Sequence, residues 1–442
     1  MDRSWSAVAL LLSCRGLVFR CVKEPVWEAA LNATKSNGHN GTFDLYLSRP
    51  KAARHIHVGE VDLEGRWSVF GQAFRQIHVM HPRCLRTNAK LYNCVFMGEH
   101  SQDAGGPYRE TWSIYAQELQ SSALPLLVRS PNALQDVRSG RESYLINPAV
   151  NDTQKEMLVF LGKLMGHAIR SKEFLALKLS SIVWKALVCQ KVTREDLDDV
   201  DYQLLNSMKF LHNVQNENLT KEEFNDLGMY TFSMVSLDQR EVELWPGGSN
   251  VAVTWDNRYK YAEQAEAYRL RECTSMVKYI REGMASVVPV MVLGLFTWEE
   301  VETMVCGKPE VDIDLLEAVT EYSGCRKEQP HIALFWQALR AFNAEERSMF
   351  LKFTWGSRAR LPLSADGFSQ RFKLHSFGKK PAENYYPVAH TCFFSLELPA
   401  YSSLTMMMEK LRYAIYNCQA IDGDDTETGA QAAALGWDWE ER

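Results

Sequence analysis

Between Pro387 and Ser403 the hydrophobic pattern changes its period from two residues to about 3.6, and that switch constrains the fold more than any other stretch. Phe394, Leu396 and Leu398 alternate with Phe393, Ser395 and Glu397, as on a strand with one face on a core. Pro399 stops the strand. Beyond Ser402 and Ser403, which can cap, Leu404, Met408, Leu411, Ile415 and Cys418 fall at steps of three and four, the buried stripe of a helix. The pattern predicts a small α/β unit with Cys392 where its strand begins. A thiol of ordinary pKa, roughly 8.5, is only a few per cent thiolate at neutral pH, yet that thiolate is nucleophilic enough to exchange with an activated acyl group such as a thioester.

Capping signals partition the rest of the chain. Thr220 with Glu223 and Thr297 with Glu300 read as capping boxes, in which the threonine accepts from the amide three residues on and the glutamate reaches back. Asn343 with Glu346 is a weaker variant, and Thr193 precedes the acidic Glu195 and Asp196. Helices are therefore expected to start after 193, 220, 297 and 343. LYNCVFMG (91 to 98) and VAVTW (251 to 255) read as strands. The polar segment EYSGCRKEQPH (321 to 331), with a glycine and a proline between helical runs, reads as a domain boundary.

Composition narrows the class. With 46% hydrophobic and 24% charged residues over 442 positions, the chain can bury a sizeable core in two or three units. The net charge of −6 equals that of the tail from Asp422 to Arg442, with its seven acids and one arginine, so the remainder is neutral and no general attraction to nucleic acid is implied. Ten cysteines are scattered without a CxxC pair, which disfavours a disulfide framework or zinc site, and His55 with His57 lacks further ligands at zinc spacing. AVALLL (7 to 12) is short, is followed by Arg15 and Arg20, and reads as a buried helix rather than a signal peptide. No stretch approaches the roughly 18 apolar residues of a transmembrane helix.

The run His390-Thr391-Cys392-Phe393, followed by Pro399, Tyr401 and Ser402, resembles the active-site segment of the HECT-type ubiquitin ligases. VFGQAFRQIH (69 to 78), MGEHSQDAGGPYRE (97 to 110), FLGKLMGHAI (160 to 169), ELWPGG (243 to 248) with Thr254 and Asn257, LFTWEEVETMVCG (295 to 307) and FWQALRAFNAEER (335 to 347) continue the resemblance in family order, from about Val69 to Ile421. It implies an α+β, bilobal fold. On that resemblance residues 1–60 are expected to be an N-terminal extension or the start of the N-lobe, 61–322 a large, mainly helical N-lobe that docks a conjugating enzyme, 323–328 a hinge, 329–421 a smaller α/β C-lobe with the cysteine, and the acidic 422–442 reads as a disordered tail. Trp355 in FTWGSRARLPL and the run IYNCQAIDGDD (415 to 425) are similar to the large HERC subgroup, whose members are very long, so the chain looks like a C-terminal fragment or short isoform.

The chemistry so implied has Cys392 accept ubiquitin from a charged conjugating enzyme as a thioester and pass it to a substrate lysine. No metal or organic cofactor is needed, and the setting is cytoplasmic. His390 could assist proton transfer, since residues two apart in an extended segment face one side. A packing or hydrogen-bonding role is favoured, because thiol exchange needs no strong base. Leu204 and Met208 match the family segment that meets the conjugating enzyme, and Tyr230 is a candidate aromatic anchor beside them; ordinary core packing is an even alternative. Asp103, Gly105, Gly106, Arg109 and Glu110 suit a tight turn with internal ion pairs, and Gly247-Gly248 a turn rather than a phosphate cradle. The family's phenylalanine near the terminus is missing here: Ile421 lies near its place and a tail with Trp437 and Trp439 follows. Two other classes stay open, a silent scaffold that binds the conjugating enzyme without forming an adduct, and a cysteine hydrolase, which would need a histidine oriented by Asn or Asp. A Cys-x5-Arg phosphatase would require arginine at Leu398.

Overall fold

The computed structural model describes residues 12–36, 42–99, 106–137, 142–216, 219–308, 311–355, 361, 368 and 370–417. Buried apolar side chains gather into three cores among the described residues. The first draws on residues from Trp27 to Cys306, the second on Val311 to Ile415, and the third, within the span of the first, on Met208 to Ala265.

The first core is mainly helical. Helix Asp152–Ser171 starts at a capping box of Asn151 and Gln154 and is buried almost all round from Met157 to Arg170. It crosses helix Val277–Val287 at a glycine contact. A Cβ on Gly162 would lie 1.9 Å from the Ile280 carbonyl oxygen, and one on Gly283 would lie 1.9 Å from that of Val159. Arg170 donates to the carbonyls of Val287 (2.8 Å) and Leu31 (2.9 Å), which fastens helix Arg20–Ala33 onto the pair. Strands Phe43–Leu47 and Tyr92–Phe96 run parallel in this core, the second where a strand was expected at 91 to 98, with Tyr92, Cys94 and Phe96 buried.

Helix Val69–Ile77 has its first turn held by acceptors. Ser68 Oγ takes the Gly71 N–H at 3.0 Å, and the buried Glu118 carboxylate takes those of Val69 and Phe70 at 2.8 and 2.7 Å. Desolvation pushes the Glu118 carboxyl from 4.5 up to about 7, against the pull of those two amides. An acid raised in the folded state binds a proton that the unfolded chain has already lost. Its stabilising effect is therefore complete below about pH 4.5 and disappears as pH rises through 7, with a slope of at most about 1.4 kcal/mol per pH unit. Glu118→Gln, which keeps an acceptor but cannot ionise, is expected to flatten the fall of the urea midpoint between pH 5 and 8. An unchanged profile would acquit Glu118.

All three boxes form. Thr220 and Glu223 open helix Lys221–Leu227, Thr297 and Glu300 open Trp298–Cys306, and Asn343 exchanges bonds of 3.0 and 2.8 Å with Glu346 ahead of Ala344–Trp355. Glu300 also accepts from the buried Lys23 at 2.7 Å. The run after Thr193 is a 3-10 helix, Arg194–Asp199, followed by Val200; its buried positions, Leu197 and Val200, stand three apart, the 3-10 period. The strand expected at 251 to 255 is not formed, and only Ala252 bridges, to Thr231. Asn257 is the reason. Its side chain takes the Thr254 N–H at 2.7 Å and donates to the Ala252 carbonyl at 3.1 Å, folding the segment into a turn.

The second core surrounds a four-stranded sheet ordered Glu321–Ser323, Lys373–Ser376, Ser395–Leu398, Val388–His390, parallel except for the last pair. Helices Pro330–Ala341, Ala344–Trp355 and Leu404–Asn417 contribute its apolar cover. In the last of these Met407, Leu411, Ala414 and Ile415 are buried while Leu404 and Met408 are only half-buried, so the stripe is shifted from the expected one. Cys418 lies outside the described residues.

The hinge expected at 323–328 is not where the cores part. Glu321 pairs with Lys373, Val311, Ile313 and Leu316 pack in the second core, Arg340 reaches Asp314 at 2.7 Å, and Cys325 donates to the Leu374 carbonyl at 3.4 Å. The change of core falls between Cys306 and Val311. A polar segment with Gly and Pro marked a turn inside the second unit, because composition reports local reversal and says nothing of which core flanks it.

Candidate functional site

Cys392 is not at the start of a strand. His390 pairs with Ser395, so Thr391 to Phe394 form the four-residue reversal of a β-hairpin, with Thr391–Phe393 as one 3-10 turn. The backbone of Cys392 occupies the middle of this turn; its side chain lies outside the described groups. Phe394 closes the reversal in the left-handed region, φ 44° and ψ 56°, with its N–H on the Thr391 carbonyl at 3.4 Å. Phe394, Leu396 and Leu398 are buried as the alternation predicts; Ser395 is buried as well.

The turn has a firm base and an exposed rim. Phe394 accepts from Lys373 at 3.0 Å, and beyond the strand the buried Tyr401 donates to the Tyr385 carbonyl at 2.8 Å. Burial raises the Tyr401 phenol well above its ordinary pKa, so it stays a donor. Arg412 pairs with Glu346 at 2.7 Å, pinning the last helix. Phe393 is 57% exposed, and Tyr386 and Val388 on the approach to the turn are exposed too, an apolar rim suited to a protein partner.

His390 Nε2 lies 3.1 Å from Glu397 Oε1 across the two strands. The alternation argument that placed His390 and Cys392 on one side fails, since the chain leaves the extended conformation at Thr391. Glu397 was missed in the sequence because it reads as a solvent-side strand residue. Only the antiparallel register, in which it faces Val388, puts it diagonally against His390.

The residues expected to meet a conjugating enzyme belong to the third core. Met208 is 1% exposed and packs inside it, which removes its side chain from any docking surface. Leu204 and Tyr230 are half-buried on its edge, Tyr230 stacked on Tyr261 with ring centroids 5.5 Å apart. Leu227 (51%) and Met229 (42%) are exposed apolar residues beside Tyr230, and Val235 and Val251 are exposed as well. Leu227 and Met229 flank Gly228, the left-handed C-cap of helix Lys221–Leu227, Leu227 ending the helix and Met229 lying beyond it, so no helical stripe joins them.

The remaining motifs read as structure. Asp103 and Gly105 lie outside the described residues. Gly106 opens helix Gly106–Leu119, and Glu110 pairs with Arg49, which also pairs with Glu99. Glu243 accepts from Gly247 and Ser249 in the expected turn, and His55 stacks on Trp67 at 5.5 Å. No described helix is long and apolar enough to cross a membrane. Ile421, Trp437 and Trp439 lie outside the described residues.

Comparison with known proteins agrees with this geometry. The family model described as HECT-domain (ubiquitin-transferase) matches residues 114–422. The chain is 35% identical over 93% of its length to the E3 ubiquitin-protein ligase HERC2 of Mus musculus, of which it spans 8%. It is 29% identical over 93% of its length to the Probable E3 ubiquitin-protein ligase HECTD4 of Homo sapiens, spanning 11% of that protein, and 29% identical over 79% of its length to the E3 ubiquitin-protein ligase HUWE1 of Mus musculus, spanning 8%. The chain thus corresponds to a small part of much longer relatives. Because the family match extends over more than half of the chain and runs through the cysteine hairpin, the chain belongs to the HECT-domain family.

Proposed function

We propose that this chain is a ubiquitin ligase module in which Cys392 carries ubiquitin as a thioester. The Cys392 thiolate attacks the carbonyl carbon of the thioester between a conjugating enzyme and the ubiquitin C-terminus. The new C–S bond replaces the old one, and the departing thiolate takes up the proton that Cys392 gave up. A substrate lysine amine then attacks the same carbonyl, an amide forms, and the Cys392 thiolate leaves, neutralised by the proton lost from the amine. The first step exchanges sulfur for sulfur and is nearly balanced; the second is downhill, and its barrier falls through positioning. No metal or cofactor enters either step. The carrying observation is the family match over a cysteine held in a short hairpin turn with an apolar rim.

We place the change from one lobe to the other between Cys306 and Val311, where the buried cores change, and docking of the conjugating enzyme on the third core around Leu227, Met229, Tyr230 and Leu204. The setting is the cytoplasm, where charged conjugating enzymes are found. The test is a non-reducing gel of the protein with activating enzyme, several conjugating enzymes, ubiquitin and ATP. A ubiquitin adduct that thiol reductant removes supports the reading; no adduct with any conjugating enzyme, from folded protein, would favour a silent scaffold.

His390 is a hydrogen-bonding partner of Glu397 in this reading, not an essential base. His390→Gln is accordingly expected to slow adduct formation by less than about tenfold, below the 10²–10⁴ typical of a general base. A loss of a hundredfold or more in quenched-flow loading assays would make His390 the base.

A further inference from the structure

The end of a four-residue hairpin reversal is a place for glycine or asparagine, and Phe394 occupies it with φ at 44°. A bulky residue stays in the left-handed region only where its surroundings hold it there. The Phe394 ring is fully buried and lies parallel to Trp355, with centroids 3.9 Å apart and 6° between the planes. Trp355, itself 1% exposed, stacks in turn on Phe368 (5.7 Å, 5°), and Phe372 meets Phe394 at 4.9 Å. Trp355 is the last residue of helix Ala344–Trp355, so this stack joins a helix end to the residue two places after Cys392. No glycine, asparagine or proline lies between His390 and Ser395 to impose the turn by itself.

The geometry points to Trp355 and Phe394 as positioning residues for Cys392: their ring stack, rather than a turn-forming residue, sets the conformation of the loop that presents the thiol. The inference rests on Cys392 being the ubiquitin acceptor. It also gives Trp355 a role in the reaction although it stands 37 positions before the cysteine.

Trp355→Leu removes the stack without altering the hairpin sequence, and Trp355→Phe restores a ring. Loading with ubiquitin is expected to fall at least tenfold in Trp355→Leu and to return to within threefold of wild type in Trp355→Phe, with the conjugating-enzyme Kd changed less than twofold in both. The rate of Cys392 alkylation by iodoacetamide, followed peptide by peptide from pH 6 to 9, is expected to change at least threefold in Trp355→Leu, a reading that loss of docking would not move. Wild-type loading and alkylation in a folded Trp355→Leu would overturn the inference. Should that variant not fold, amide exchange in wild type decides. Protection of the Phe394 amide supports the clamp, and exchange at the rate of an unstructured chain removes it. A wild type that forms no ubiquitin adduct would defeat the Cys392 reading instead, leaving the alkylation and exchange results to judge the stack alone.

Discussion

Cys392→Ala should leave no reductant-sensitive ubiquitin adduct, a drop of about 1,000-fold or more in loading, because the acceptor atom itself is gone and no neighbouring group can take its place. Among the described residues the other cysteines offer no ready substitute, the half-buried Cys84 being packed against the first core. Cys94, Cys273, Cys306 and Cys325 are buried, and burial pushes the thiols of Cys273, up to about 12, and Cys325 upward, away from thiolate. Cys14, Cys21 and Cys189 are exposed but lie in the first unit, outside the hairpin. Conjugating-enzyme binding should survive the change, since the docking surface we propose is built on the third core. The decisive pair of measurements is a non-reducing gel and a binding isotherm on the same preparation. An adduct that persists in Cys392→Ala would move the acceptor elsewhere, and loss of both adduct and binding would point to unfolding.

Gly283→Ala should destabilise the first core by about 3 kcal/mol, at the upper end for inserting a methyl into a packed interface. Helix propensity alone would give the opposite sign, since alanine improves on glycine by about 1 kcal/mol in a helix interior. The close approach decides. The added Cβ would sit 1.9 Å from the Val159 carbonyl oxygen and 2.8 Å from the Lys163 nitrogen, both backbone atoms of the facing helix, so no side chain can swing away. The two helices would have to separate, opening gaps around Phe160, Leu164 and Met284. A urea midpoint equal to or above that of wild type would show that the helices yield at little cost.

What was legible in the sequence was local. The capping boxes at Thr220, Thr297 and Asn343 depend on residues three apart, and each formed. The alternation of Phe394, Leu396 and Leu398 reports which face meets a core, and those three are buried. The cysteine hairpin was hidden because its reversal contains none of the usual turn residues and is held by Trp355, far away in sequence. The burial of Met208 was equally out of reach, since a methionine on a helix looks the same whether its face meets a partner or the 258–275 helix. The change of core between Cys306 and Val311 was out of reach for a related reason: strand Glu321–Ser323 is recognisable only from its pairing with Lys373 to His375.

The glycine crossing also sets a schedule for synthesis. Helix Asp152–Ser171 is buried on nearly every side from Met157 to Arg170, yet its partner, Val277–Val287, leaves the ribosome about 120 residues later. At about 5–20 residues per second that is a wait of roughly 6–24 s, far longer than a helix needs to form. Through that interval Phe160 can already pack on Phe70 and Phe74, but the face around Gly162 and Gly166 lacks the helix that closes it. That face is therefore left open while the intervening chain is made, and slowing translation between the two helices should lower the soluble yield.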